Sequence, residues 1–446
     1  MGIGGVLLLT VSNVTPASSV YVVVPGIIQQ AGSGALIAMG AAALISLAMA
    51  FVYAELASAF PLAGGDYAML GRVLGPGAGF VTMGGVAITM TLSTTVLSMG
   101  ASAYVTAIWP GAERVPVAIG VIAAATVLGV FNVRMNAWVT GLFLLVEVLA
   151  IVVIAGLGFA HMHRPLLELV QHPMVVGASG FEAAPVGAIG SAAAVGVFAY
   201  SGFGQAVYFS EEMHEAPRQV GSAILWALAL VVMLEFAPLA GVLLGAPDLK
   251  PLLSSPSPFS DFLQDLGGQR LAATIGLGVA LAISNAVIVG VLINGRLFYS
   301  TGRDQVWHGL ANRALVKLHP RFNSPWVATL LAGAIGMAGC FAPQGLLLVL
   351  TGTGTVLLYG ILCLGVIVGR TSGRTAHAPY RMPLFPLAPA LGLIALVYIL
   401  YSEWIDSKIG RPSLIVNLFI VAGALAWYLL ARHRRGAEWR LAGPAE

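Results

Sequence analysis

Apolar runs of about twenty residues recur along almost the whole chain, and that is the length an α-helix needs to cross a bilayer. Twelve such runs lie near 4–28, 35–60, 77–108, 115–131, 137–160, 186–210, 219–246, 271–299, 326–342, 345–369, 383–402 and 412–431. Charged residues make up 9% of the sequence and the mean hydropathy is +0.92, whereas a soluble domain carries about 25% charged residues. The chain therefore reads as an all-α membrane protein with twelve transmembrane helices and no soluble domain between them. No basic segment with a cleavage site precedes the first run, so no secretory signal is expected.

Loop charges set the orientation. With both termini cytoplasmic, fifteen of the 21 Lys and Arg residues fall on the cytoplasmic side and six on the other. That asymmetry obeys the positive-inside rule and fits an even number of spans in the cell's inner membrane. The net charge of +3 then reflects topology rather than a nucleic-acid partner. Cys340 and Cys363 sit inside apolar runs without ligand spacing, so neither a disulfide framework nor a metal site is expected. No cofactor is implied.

Two of the runs are interrupted. The first contains Asn13-Val14-Thr15-Pro16-Ala17-Ser18-Ser19 between strongly apolar flanks. Proline removes a helix N–H, and Ser, Thr and Asn compete for backbone hydrogen bonds. In lipid, freed backbone groups are tolerated only where protein buries them or a wet cavity takes them. The sixth run contains Val197-Phe198-Ala199-Tyr200-Ser201-Gly202-Phe203-Gly204-Gln205, with two glycines and crowded aromatics. The second break follows five spans after the first, and an odd offset inverts the orientation of a repeat. Matching interrupted segments in two halves are the sequence pointer to a transporter binding site; plain kinks are the bland alternative.

Three stretches carry a family resemblance. They are Tyr53-Ala54-Glu55-Leu56 through Pro61 to Ala63-Gly64-Gly65-Asp66-Tyr67, the sixth-span run leading to Glu211-Glu212 and Ala216-Pro217-Arg218, and Asn294-Gly295-Arg296 through Arg303-Asp304 to His319-Pro320-Arg321. In these the chain resembles the amino acid–polyamine–organocation permeases. The resemblance implies the LeuT-type fold: a 5+5 inverted repeat, discontinuous helices 1 and 6, and two further C-terminal helices. The repeats would span 1–160 and 161–369, with helices 11 and 12 in 370–431 and a cytoplasmic tail in 432–446.

On that resemblance the substrate site comprises Asn13, Thr15, Ala17, Ser18 and Ser19 at the first break, and Phe198, Ala199, Tyr200, Ser201, Gly202 and Phe203 at the second. The N–H groups and hydroxyls of Ser18 and Ser19 would meet a substrate α-carboxylate. Carbonyls of Asn13, Thr15, Ala199 and Tyr200 would accept from its ammonium. Phe198, Tyr200 and Phe203 are candidate lids, with Phe198 first by resemblance; core packing is the alternative for each. Where the family usually has a glycine-rich run at the first break, this chain has Thr15-Pro16-Ala17-Ser18-Ser19. Many sodium-independent members place a lysine in span 5, and a rough alignment puts Glu147 there instead.

Glu147 in span 5 and Glu235 in span 7 lie deep in apolar runs. A charge at the bilayer centre costs about 2.5–3.5 kcal/mol even on the lenient insertion scale, so an intramembrane acid is a functional candidate by default. Proton coupling through Glu147, less so Glu235, is the favoured role; contact with a substrate cation and a purely structural role stay open. Glu55, in the last turn of span 2, is expected at the membrane interface. Glu211, Glu212 and Glu215, with Arg218 and the arginines after span 8, are candidates for an ionic latch. Ser284 offers only part of the hydroxyl pair a sodium site would need. Thr351 to Thr355 and Tyr359 of span 10 flank the expected site.

A channel would need a repeated filter, and an intramembrane enzyme a Gly-x-Ser-x-Gly or His-Glu-x-x-His pattern. Neither is present in the sequence; His161, His163 and His172 cluster in a loop. The expectation is therefore not an enzyme but a secondary transporter. It would carry a small molecule, favouring a neutral amino acid, with protons and the lipid bilayer as its other partners. An exchanger of cationic amino acids or polyamines is the alternative.

Overall fold

The computed structural model describes residues 1–435 apart from 110, 132, 178, 179, 308, 406, 408 and 409. The remainder of the expected tail, 436–446, lies outside the described residues. Helices follow one another with few gaps. The chain begins with α1 (Ile3–Val14), α2 (Pro16–Ser18), a π-helical turn over Ser19–Val23, α3 (Val24–Ala31) and α4 (Ala35–Ala59). It continues with α5 (Asp66–Leu74), α6 (Pro76–Ile108), α7 (Arg114–Gly129), α8 (Val133–Ala160) and α9 (Leu166–Gln171). A hairpin of β1 (Met174–Gly177) and β2 (Gly180–Ala183) follows, antiparallel, and it is the one departure from an all-helical chain among the described residues.

After the hairpin come α10 (Val186–Ala199), a 3₁₀ segment over Phe203–Glu212, α11 (Ala216–Gly245), α12 (Leu249–Ser254) and α13 (Pro258–Arg303). The chain ends with α14 (Gly309–Leu315), α15 (Trp326–Gly339), α16 (Gln344–Thr371), α17 (Leu387–Ile405) and α18 (Gly410–Arg435). Among the described residues, nine stretches are long and apolar enough to cross a membrane, the first being all of Ile3–Ala59, and α7 and α15 are shorter apolar helices. Gly268, with φ 76°, turns the chain inside α13.

Both expected interruptions are present. Pro16 disfavours helical geometry at the residue before it, and Thr15 takes up φ 50°, ψ 72° in the left-handed region. For a β-branched residue that is a strained conformation. The second interruption centres on Gly202 at φ 110°, and a Cβ there would come within 3.0 Å of the Val14 side chain. Glycine thus satisfies both the dihedral and the close approach, and the two breaks touch.

Neighbouring helices hold these breaks in the core. The α1 helix contacts α8, α11, α13 and the 3₁₀ segment, and α11 itself packs against α4 and α8. The α8–α11 crossing is unusually close: a Cβ at Gly158 would sit 2.2 Å from the Gly241 carbonyl carbon, and one at Gly245 would sit 2.5 Å from the Gly158 oxygen. In a membrane, small residues let helix backbones approach where apolar burial supplies no net drive. At the other end of the first helical stretch, Gly32 turns with φ 58° beneath the hairpin, whose Met174 N–H donates to Ser33 Oγ at 2.8 Å.

Gly158→Val should therefore force α8 and α11 apart. Overpacking of this kind costs about 1–3 kcal/mol. Thermal unfolding of detergent-solubilised protein should show a lower midpoint than wild type, whereas Gly156→Ala, where a Cβ meets nothing within 4 Å, should not.

Candidate functional site

Where the two breaks meet there is a cavity of about 240 Å³. Asn13, Thr15, Ser18 and Ser19 line it from the first break, and Phe198, Ala199, Ser201, Gly202 and Gln205 from the second. The opposite wall comes from α6 (including Thr89, Ser93 and Thr94), α13 (Ile293, Asn294) and α16 (Thr351, Thr355, Tyr359). Among the described lining residues there is no Asp, Glu, Lys or Arg. Valine, leucine, isoleucine, methionine and hydroxyl-bearing side chains supply the surface.

Of the eleven residues expected at the site from the sequence, Ala17, Tyr200 and Phe203 are not in the lining. Ala17 faces α8 instead: its N–H donates to Glu147 Oε1 at 2.8 Å, and Thr15 Oγ1 donates to the same oxygen at 3.3 Å. Glu147 of α8 thus occupies the start of the second half-helix. A carboxylate is favoured there because the first N–H groups of a helix lack internal partners.

The N–H groups of Ser18 and Ser19 already donate to the Thr15 carbonyl at 2.9 and 3.2 Å, because the helix resumes directly after Pro16. What these residues turn toward the cavity is the side chain. The Ser19 hydroxyl bridges the breaks, donating to the Ala199 carbonyl at 3.1 Å. A second bridge joins the Asn13 amide to the Gln205 side-chain carbonyl.

Behind the first break lie the two intramembrane acids, both fully buried. Neither oxygen of Glu235, nor Oε2 of Glu147, nor the Tyr200 hydroxyl has a hydrogen-bond partner among the described residues. Buried polar atoms are nearly always satisfied, so a cluster of exceptions calls for a functional explanation.

The three candidate lids separate. Phe198 lines the cavity and is 38% exposed, whereas Tyr200 and Phe203 are fully buried. Phe203 packs edge-on against Tyr53, with centroids 6.0 Å apart and an interplanar angle of 81°, and tilts toward Tyr359. It packs beneath the floor of the cavity, behind Tyr53 and Tyr359, which are in the lining.

Beyond that floor is a belt of ionic contacts. Arg303 grips both oxygens of Glu211 at 2.9 Å, and Glu211 also accepts from the Ala63 N–H at 2.9 Å. Arg296 pairs with Glu212 at 2.7 Å. Glu215 and Arg218 make only an exposed contact at 3.7 Å within one helical turn, which contributes little. Tyr67 Oη binds Ser300 at 2.7 Å and Asp304 at 2.9 Å. Glu55, expected at the membrane interface, is instead fully buried in a fork with Arg370 at 2.7 and 2.6 Å, and it accepts from Met382 N–H at 2.9 Å. The partner that makes this burial tolerable lies on another helix.

Several cavity residues carry no signal in the sequence. Gln205 ends the second break but looks like any polar residue leaving a helix. Thr89, Ser93 and Thr94 are hydroxyls in an unbroken apolar run. Ser284, by contrast, donates to its own helix at Ala280 and is absent from the lining.

A sequence profile of the family described as "Amino acid permease" matches residues 4–427. The chain belongs to that family, within the amino acid–polyamine–organocation superfamily. The permease is 26% identical over 408 residues to the branched-chain amino acid permease BcaP of Bacillus subtilis, covering 87% of this chain and 85% of that protein. It is 25% identical over 427 residues to the methylthioribose transporter of Bacillus subtilis, covering 90% and 87%. It is also 25% identical over 426 residues to the b(0,+)-type amino acid transporter 1 of Mus musculus, covering 92% and 83%. The permease is thus a multi-pass membrane transporter rather than an enzyme, with small amino acid-type molecules as the family's substrates.

Removing one partner of the Glu55–Arg370 fork strands the other. Glu55→Gln should lower stability by about 3–5 kcal/mol, the usual result of breaking a buried pair. It should be read as a lower melting point in detergent, and the double variant Glu55→Gln/Arg370→Met should recover part of the loss.

Proposed function

We propose that the permease carries neutral amino acids with apolar side chains, coupled to protons and independent of sodium, by alternating access across the inner membrane. Twelve crossings in a 5+5 inverted repeat with two added helices, and cytoplasmic termini, complete the proposal. One observation carries the substrate choice: the cavity joining the breaks has hydroxyls, amides and apolar walls but no fixed charge among its described lining residues. A cationic substrate would leave water for a wall without a counter-charge, which is costly. An aliphatic side chain gains by the same transfer, about 25 cal/mol per Å² buried. The name of the Bacillus subtilis branched-chain permease agrees with this choice.

Binding follows from the site. The Ser18 side chain and the Gln205 and Asn294 amides supply polar contacts to the zwitterion, and Phe198 closes over it. Breaking the Asn13–Gln205 bridge frees two amides that a ligand can satisfy.

Glu147 supplies the coupling. When ionised it holds the Ala17 N–H and Thr15 hydroxyl through charge-assisted bonds, roughly twice as strong as neutral ones. When protonated it loosens that grip, so the half-helix at Pro16 moves more freely against α8. Glu235, the other acid behind the break, is the proton's next station. Nothing in this scheme needs sodium, and the Ser284 hydroxyl is committed to its own helix.

Uptake of a labelled amino acid panel into proteoliposomes tests the proposal, first under an inward proton gradient and then with unlabelled substrate inside. Gradient-driven accumulation of aliphatic amino acids is expected. Glu147→Gln should abolish that accumulation while exchange continues; accumulation that survives the substitution rules out the proton role. Accumulation restricted to cationic substrates rules out the neutral assignment.

A further inference from the structure

Asp66 lies outside the cavity lining and apart from the two acids behind the first break. It is the first residue of α5, just after Gly64-Gly65, and it is 1% exposed. Its Oδ2 accepts from the Tyr208 hydroxyl at 2.8 Å, while Oδ1 has no hydrogen-bond partner among the described residues. The contact with Tyr208 is very close: a Cβ on Gly65, whose φ is 57°, would come within 2.3 Å of the Tyr208 ring. The loop between α4 and α5 therefore lies directly against the 3₁₀ segment that continues from the second break. The same loop is pinned by Glu211 through Ala63 N–H, and by Tyr67 to the end of α13. On the orientation proposed above, this is the cytoplasmic closure of the cavity, and opening it separates Asp66 from Tyr208.

We propose that Asp66 is a proton-operated lock on that closure: the gate stays shut while the carboxyl is neutral, and loss of the proton loosens it. The groups facing the carboxyl are phenols: Tyr208 from the 3₁₀ segment, Tyr53 from α4 and Tyr359 from α16. The nearby ions Glu211 and Arg303 are bound to each other. Two phenol donors and one unsatisfied oxygen are a poor substitute for water around a carboxylate.

Burial pushes the Asp66 carboxyl up to about 6, against the opposing pull of the hydrogen bonds from Tyr208 and Tyr53. An open gate returns the group to water and to its ordinary value of about 3.9. The closed form therefore binds the proton more tightly than the open form. By linkage, the advantage of closure is fully present below about pH 3.9 and is lost progressively as the pH rises through about 6. The lock sits on the side to which symported protons are delivered. As the cytoplasm acidifies, the gate resists opening, and uptake limits itself.

Hydrogen–deuterium exchange of the full-length, substrate-free protein in nanodiscs tests this directly. Rates in segments 60–67 and 203–212 are compared between about pH 5 and about pH 7.5 and divided by those of Asp66→Asn at each pH. That ratio cancels the intrinsic pH dependence of exchange, because Asn mimics the neutral acid. Exchange relative to Asp66→Asn should rise about tenfold across this interval, as a carboxyl moving between about 3.9 and about 6 requires. A flat ratio, or a rise on acidification, overturns the proposal. Tyr208→Phe, which keeps Asp66 but removes its donor, should move the midpoint to higher pH; an unmoved midpoint also overturns it. The readout needs no substrate. A permease silent toward the amino acid panel but showing the pH-dependent ratio keeps the lock and loses the transport assignment.

Discussion

Backbone groups released inside a bilayer have to find their partners within the protein. In this permease most of them pair within their own break, as Thr15 N–H does with Val11 and Tyr200 N–H with Gly196, and contacts between the two breaks complete the set. Ser19 donates to Ala199, Asn13 donates to Gln205, and the Gly202 backbone lies against Val14. The remaining exposed donor of the first break, the Ala17 N–H, goes to Glu147 on α8. The cavity lies where both helices are interrupted side by side. The Ser19–Ala199 and Asn13–Gln205 bonds tie the two breaks together across its middle.

That arrangement changes how an anion is received. A resumed helix ordinarily offers its first N–H groups to an incoming carboxylate. Here an internal carboxylate has taken that place, and the N–H groups of the two serines close on Thr15. What the cavity presents is side chains: hydroxyls and amides around an apolar chamber. The strain at Thr15, a β-branched residue in the left-handed region, is held by these same contacts. Glu147 therefore belongs to the break itself, not to the cavity wall.

The parts legible from sequence were those that break a rule of apolar helices. Pro16 amid hydroxyls, the paired glycines at 202 and 204, and acids at 147 and 235 each violate the pattern around them, and each marks the region of the site. Residues that obey the pattern stayed silent. Thr89, Ser93 and Thr94 reach the cavity from an uninterrupted helix, and nothing local distinguishes them from packing residues. Long-range pairing was hidden too. The burial of Glu55 depends on Arg370, more than three hundred positions away, and the inward placement of Phe203 depends on Tyr53 and Tyr359. A single sequence shows that a group is unusual, whereas its partner is a property of the fold.

The glycine contact between α8 and α11 has a consequence beyond packing. Glu147 and Glu235 ride on these two helices, and Gly158, Gly241 and Gly245 bring their backbones together a few turns away. Two rods touching near one end cannot slide or splay independently, so the distance between the acids is fixed remotely by residues with no side chains. The two helices form one packed pair against which the half-helix at Pro16 rests. A side chain added at any of these glycines would therefore shift the two acids relative to each other without altering a single polar atom.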